Sequence, residues 1–304
     1  QKGTLKWKAV LDDLICSKPL LDIQGTIYQL TGDGYLFTIS EQGKIKKKQK
    51  ICTNASYGEA DSKGNIYITG RDGLYLIKKD NKKLKLYSLS EKETIEVPPV
   101  ILSNDDINII TQKYITTREG TSLESKLMCL NEKGILKWNF KIEGTVKSPP
   151  ITDSYGNIYL ATQKGEVIAL NYRGSEIWRH KTRGYVLNSP CLDSNGNLFI
   201  VYSVINLKNL KAVESGIEKI SSYGKGKNFF KFLDWHNQTS PVITAEGNIY
   251  VISGTNNLYA VNPDGSKKWV ISLSSPAKGN PATNRKEDIF LGCDDGTLKA
   301  YNKE

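Results

Sequence analysis

Five cysteines, two histidines and a D-x-x-G-N pentapeptide are the parts of this 304-residue chain whose residue types could do chemistry. The thiols Cys16, Cys52, Cys129, Cys191 and Cys293 are widely spaced and contain no C-x-x-C pair. That spacing gives no support to a zinc site or a thioredoxin-type redox centre. Cys129 aligns with Ala169 and Ala260 at a position that calls for a small buried residue, so the cysteines read as core filler. The pentapeptides starting at Asp153 and Asp193 could open a calcium loop, which needs glycine at the sixth position and alternating oxygen ligands before it. Here the sixth residues are Ile158 and Leu198, so the pattern reads as a hairpin turn. His180 falls at the end of an outer strand, where a solvated or packed side chain is expected. No Ser/His/Asp order can be defended. Gly32 and Gly34 resemble half a phosphate loop, but no helix pattern follows them.

Composition narrows the class. Hydrophobic residues make up 38% of the chain and the net charge is +10. No apolar run approaches the ~20 residues that cross a bilayer as a helix. The chain opens on Gln1 without a signal peptide, as expected of a trimmed start. Two basic runs, 44–50 and 78–87, fall on expected outer strands and could form a positive rim for a polyanion. The same lysines could equally protect open strand edges.

The elements that must position these residues come from an internal repeat. The phrase G-[NT]-[IL]-[YF] starts at Gly25, Gly64, Gly156, Gly196 and Gly247, with weaker copies at Asp105 and Glu287. Successive starts lie 39, 41, 51, 40, 51 and 40 residues apart. Each unit reads as four short strands separated by Gly, Asn and Asp turns; in the fourth these are "PPITD", "NIYLAT", "EVIALN" and "EIWRHK". Repeats of this length with four strands are propeller blades. The expected fold is all-β, a single seven-bladed β-propeller domain over 1–304. Joining the C-terminus to the N-terminus restores a motif found elsewhere, so residues 3–8 are expected to complete the last blade and close the ring.

Three blades carry A/C-[LV]-N-x-x-G-x-x-x-W, ending at Trp138, Trp178 and Trp269. This resembles the repeat of pyrroloquinoline quinone (PQQ) dehydrogenases and of related propellers. The resemblance implies that Trp7, Trp138, Trp178 and Trp269 dock between neighbouring blades. Asparagine replaces the repeat's aspartate, and the threonine before its glycine is missing. The vicinal cysteines and the calcium-binding set of the quinone enzymes have no counterpart here. The nearer resemblance is to non-catalytic scaffold members, such as the lipoprotein of the outer-membrane barrel assembly machinery. That branch implies a protein-interaction or assembly scaffold with no cofactor; the alternatives are a PQQ- and calcium-dependent oxidoreductase and a carbohydrate- or polyanion-binding module.

The two 51-residue spacings place extra residues at 112–126 and 204–214, each between the second and third strands of its blade. These are expected to be loops on the face that carries the blade-to-blade connections. The partner site expected there consists of Tyr114, Arg118, Lys147, Arg183, Tyr185, Asn188, Trp235 and His236. A protein is the expected partner, with a polyanion or glycan as the other choices. The chain is expected to be a monomer; its mostly exported relatives favour an extracytoplasmic setting over the cytoplasm, while the unpaired cysteines fit a reducing or anaerobic setting equally well.

Overall fold

The computed structural model describes residues 7–12, 14–22, 25–117, 120–206, 208, 211–232, 239–277, 280–284, 287–295 and 297–302. Every regular element among them is a β-strand, and the strands form seven antiparallel sheets. These are the blades of a seven-bladed propeller. The chain divides into two compact units: Gln1–Glu143 holds blades one to three, and Gly144–Glu304 holds blades four to seven.

Blade four shows how the repeat builds a sheet. Its strands are Ile151–Thr152, Ile158–Ala161, Glu166–Leu170 and Glu176–Lys181, paired in that order. The innermost strand is only two residues long because Pro149 and Pro150 precede it and proline has no N–H for a ladder. The same holds after Pro19, Pro99, Pro190, Pro241 and Pro281. Blade two has no proline there, and its inner strand runs to six residues, Ala55–Ala60.

The middle strands are fully buried, as in Ile66–Gly70 and Gly73–Ile77, while outer strands show the solvent alternation of a half-covered surface. Apolar side chains of successive blades meet face to face. In the first unit Leu30 and Leu36 pack with Ile66 and Ile68, and Tyr67 and Leu74 with Ile107 and Leu130. In the second, Tyr159 and Val167 pack with Leu198 and Ile200, and Tyr250 and Leu258 with Ile289 and Leu291. Truncating one such residue, for example Leu130, which has no exposed surface, removes burial worth about 3 kcal/mol.

Tryptophans tie the outer turn of one blade to the strand of another. The Trp178 indole donates to the Ser222 carbonyl at 2.9 Å, and its ring lies where a Cβ on Gly224 (φ +79°) would stand at 2.8 Å. Trp7 does the same at the first blade, donating to Glu41 O at 2.8 Å with its ring against Gly43. Trp138 is half-buried opposite Cys129, and Trp269 lies 5.8 Å from the Tyr250 ring. Where tryptophan is missing, the turn glycine meets the neighbouring strand differently: Gly134 faces the Leu86 backbone, and Gly265 the Phe229 carbonyl and ring. Blade seven contributes three described strands, Ala282–Thr283, Ile289–Gly292 and Leu298–Tyr301. The closing strand expected from residues 3–8 falls mostly outside the described residues.

Candidate functional site

The D-x-x-G-N segments are turns, and their carboxylates accept hydrogen bonds from the turn's own N–H groups and, in some blades, from a tyrosine hydroxyl. Asp153 Oδ1 accepts from the amides of Tyr155 and Asn157, both at 2.9 Å, while Oδ2 accepts from Asn157 Nδ2 at 2.9 Å and Tyr159 OH at 3.0 Å. Asp61 and Asp193 hold their turns in the same way. Among the described residues no three His, Cys, Asp or Glu side chains converge as a metal site would require. A donor set already committed to backbone amides does not fit calcium-held PQQ. The cysteines are free thiols, and burial pushes Cys52 and Cys129 up to about 11, which keeps them protonated.

The two insertions are not loops. In blade three the second and third strands simply continue, as Ile107–Thr117 and Gly120–Leu130, and stay paired from Ile107↔Leu130 to Thr117↔Gly120. In blade five they continue as Leu198–Asn206 and Lys211–Ile220, with a register shift at Val204/Ile205. Six of the eight residues of 110–117 are threonine, tyrosine or isoleucine, and such residues pair across strands more readily than they remain irregular. Each lengthened strand also recruits the incoming inter-blade segment. Glu93–Ile95 pairs with residues 111–113, and Tyr185 forms a reciprocal backbone bridge with Ser203 at 2.8 and 2.9 Å.

In the first unit two clefts, of about 920 and 310 Å3, open beside the Glu93–Ile95 strand, and the foot of the blade-three hairpin lines the smaller. Arg71, Glu91, Lys92 and Glu96 line the larger; Tyr87, Lys113, Glu124 and Lys126 line the smaller. Glu93 borders both and is firmly held. Its Oε2 accepts from the Ser90 amide and hydroxyl at 2.9 Å, and Tyr87 donates to Oε1 at 3.3 Å. Burial pushes this carboxyl up, but the Ser90 donors, with Thr111 and Tyr87, outweigh it and hold it below its ordinary range. Lys92 stands in the wall of the larger cleft with φ +62°, a left-handed conformation that is uncommon for lysine. Further along the hairpin Tyr114 is 63% exposed.

In the second unit the equivalent foot is an ionic knot. Glu214 accepts from Tyr202 OH at 2.7 Å, and Arg183 Nε and Lys231 Nζ each lie at 3.2 Å. The Tyr202 hydrogen bond, aided by Lys231 and Arg183 against some desolvation, holds the Glu214 carboxyl below its usual range. Beneath it the buried Glu218 meets His180 Nε2 at 2.6 Å and accepts from the Arg183 amide at 3.4 Å.

The site expected from sequence is thus only partly at the surface. Tyr114, Lys147 and Arg183 are exposed, the last with its side chain on Glu214; Tyr185 is half-buried; Asn188 is only 2% exposed and so cannot contact a partner. Arg118, Trp235 and His236 lie outside the described residues. Glu93, Glu214 and Glu218 were missed, although the acids flanking each insertion were a signal. The lysine runs do meet aromatic rings, which come from the neighbouring strand: Lys48 and Lys50 stand 4.4 and 4.3 Å over Tyr35, and Lys83 stands 4.9 Å over Tyr75. His180 Nε2 is paired with the Glu218 carboxylate.

Residues 106–201 match a family model described as outer membrane protein assembly factor BamB. No curated protein matches the chain in sequence. BamB from Moraxella catarrhalis superposes with a TM-score of 0.71 at 12% identity, covering 98% of this chain and 86% of that one. The Dos1 propeller gives 0.69 at 9% identity, covering 96% and 82%. The WD40 propeller domain of Doa1 gives 0.61 at 12% identity, covering 96% and 94%. Identities this low speak to the fold alone. The chain is a β-propeller whose third and fourth blades carry the PQQ-type repeat of the BamB family model.

Proposed function

We propose that this protein is a non-catalytic interaction scaffold that works as a single copy outside the cytoplasm. Its partner, a protein, docks in the first unit on the end of the blades where the blade-three hairpin projects. The observation that carries the reading is the hairpin itself. It presents the exposed Tyr114 beyond a rigid paired base whose Lys113 and Glu124 line a cleft of about 310 Å3. An aromatic anchor beside a cleft of mixed charge is the usual centre of a protein interface. A hairpin paired along its length is already ordered, so binding loses little conformational freedom. The assembly role printed for the matched family agrees with this.

A photo-crosslinking amino acid placed at Tyr114 in the producing cells tests the reading. A discrete heavier adduct from position 114, with none from the exposed outer-strand position Lys47, is the expected result. Equal adducts from both positions, or none from 114, would contradict it.

A further inference from the structure

A second surface, independent of the hairpin, lies on the turns at the other end of the blades in the second unit. The repeat supplies its own reference state there. In blades one, two and four the turn aspartate accepts from a tyrosine hydroxyl six residues on: Asp22 from Tyr28 at 3.2 Å, Asp61 from Tyr67 at 3.4 Å, Asp153 from Tyr159 at 3.0 Å. Blade five keeps the aspartate, Asp193, but has Phe199 in place of the tyrosine. One acceptor direction of Asp193 Oδ2 is therefore not taken up by the repeat's own hydroxyl. Lys219 stands over the Phe199 ring at 5.1 Å with Nζ 4.0 Å from that oxygen. Blade six has the complementary change, with the shorter Thr244 in place of the aspartate. Both departures line one cleft of about 510 Å3, together with Asn195, Lys219 and Glu246.

At the same end of their blades, other turns display tyrosines. Tyr155 and Tyr172 in blade four are 83% and 54% exposed, and Tyr223 in blade five is 86% exposed. They are held in place. The turn of Tyr155 is fixed by Asp153 and touches Tyr172, since a Cβ on Gly156 would stand 3.4 Å from Tyr172 Cβ. The turn of Tyr223 is clamped by the Trp178 indole on Ser222. Folding does not ask for tyrosine at these sites, because the position of Tyr155 is filled by Lys63, Asn195 or Glu246 in blades two, five and six. Rigid, amphipathic rings left in water at such places serve recognition.

The charge selects the ligand. The cleft offers two carboxylates and one ammonium, which does not suit a polyanion. Flat apolar rings next to carboxylate, amide and ammonium groups suit a pyranose, whose C–H face stacks on an aromatic ring and whose hydroxyls both donate and accept. We propose that this face binds a neutral oligosaccharide. One sugar enters the cleft, with a hydroxyl donating to Asp193 Oδ2 and another accepting from Lys219 Nζ, and further sugars run over Tyr223 and Tyr155.

An array carrying neutral oligosaccharides, uronate- and sulfate-bearing glycans and proline-rich peptides tests this with the whole chain. Neutral oligosaccharides should bind. The decisive variant is Phe199→Tyr, which restores the hydrogen bond used by three other blades. It should keep or raise the unfolding midpoint while weakening glycan binding about tenfold or more, the size expected for losing a hydrogen bond to a charged group. Tyr223→Ala should also weaken binding without moving the midpoint. Binding of acidic glycans or peptides only, no binding at all, or a Phe199→Tyr variant that binds as well as the parent would overturn the proposal.

Discussion

The lengthened hairpins of blades three and five arise from the same change, extra residues between the second and third strands, yet their feet are built differently. At blade five, charged groups close on one another: Arg183, Lys231 and Tyr202 converge on Glu214, and His180 meets Glu218 below them. At blade three, Glu93 is held by Ser90 and Lys126 pairs with Glu124 at 3.2 Å, while Arg71, Lys92 and Tyr114 face clefts or solvent. An insertion can thus be used to brace a sheet or to display a surface, and the partners of its acidic residues show which.

Variants can break this comparison, taken from the largest expected effect to the smallest. Breaking the pair beneath blade five by Glu218→Ala leaves His180 without its acid in a largely buried place. It should lower stability by about 3 kcal/mol in urea titrations. Gly184→Ala drives a Cβ to 2.3 Å from the Ser203 carbonyl, where the link crosses the hairpin, and should cost about 2 kcal/mol by the same method.

Glu214→Gln should matter less, about 0.5 kcal/mol, because the group is partly exposed. Its folded-state pKa lies below the ordinary value of 4.5, so the unfolded chain binds the proton more readily. The stabilisation is present above that value and is lost as pH falls through the lower folded value. The gap between parent and Glu214→Gln should therefore close in acid, and a gap that widened in acid would refute the hub. Tyr114→Ala, on the displaying hairpin, should change stability by less than about 0.5 kcal/mol and act only on partner binding.

Much of this was legible in the chain. The blade count, the strands of blade four and the sites of both insertions follow from glycine and proline spacing, because turns and inner strands depend on local backbone chemistry. What depends on pairing between distant residues was hidden. That residues 112–126 continue as strands rests on partners such as Lys113↔Glu124, and Lys50 meets Tyr35 across a ladder. Phe229 of blade five meets Gly265 after a register shift at Ile217/Glu218, which a fixed spacing from the turn glycine does not anticipate. Asn188 follows a link glycine and looked exposed, yet the fold buries it.

The most direct test of the scaffold account is to shorten the displaying hairpin. Residues 114–123 are replaced by Asn-Gly, which joins the paired Lys113 and Glu124 through a tight turn. Size-exclusion chromatography of gently lysed producing cells then compares the two chains. The account predicts that the parent elutes in a larger complex, and that the shortened chain unfolds at the parent's midpoint but elutes at the mass of one copy. A parent that elutes alone, or a shortened chain that stays in the complex, would contradict it.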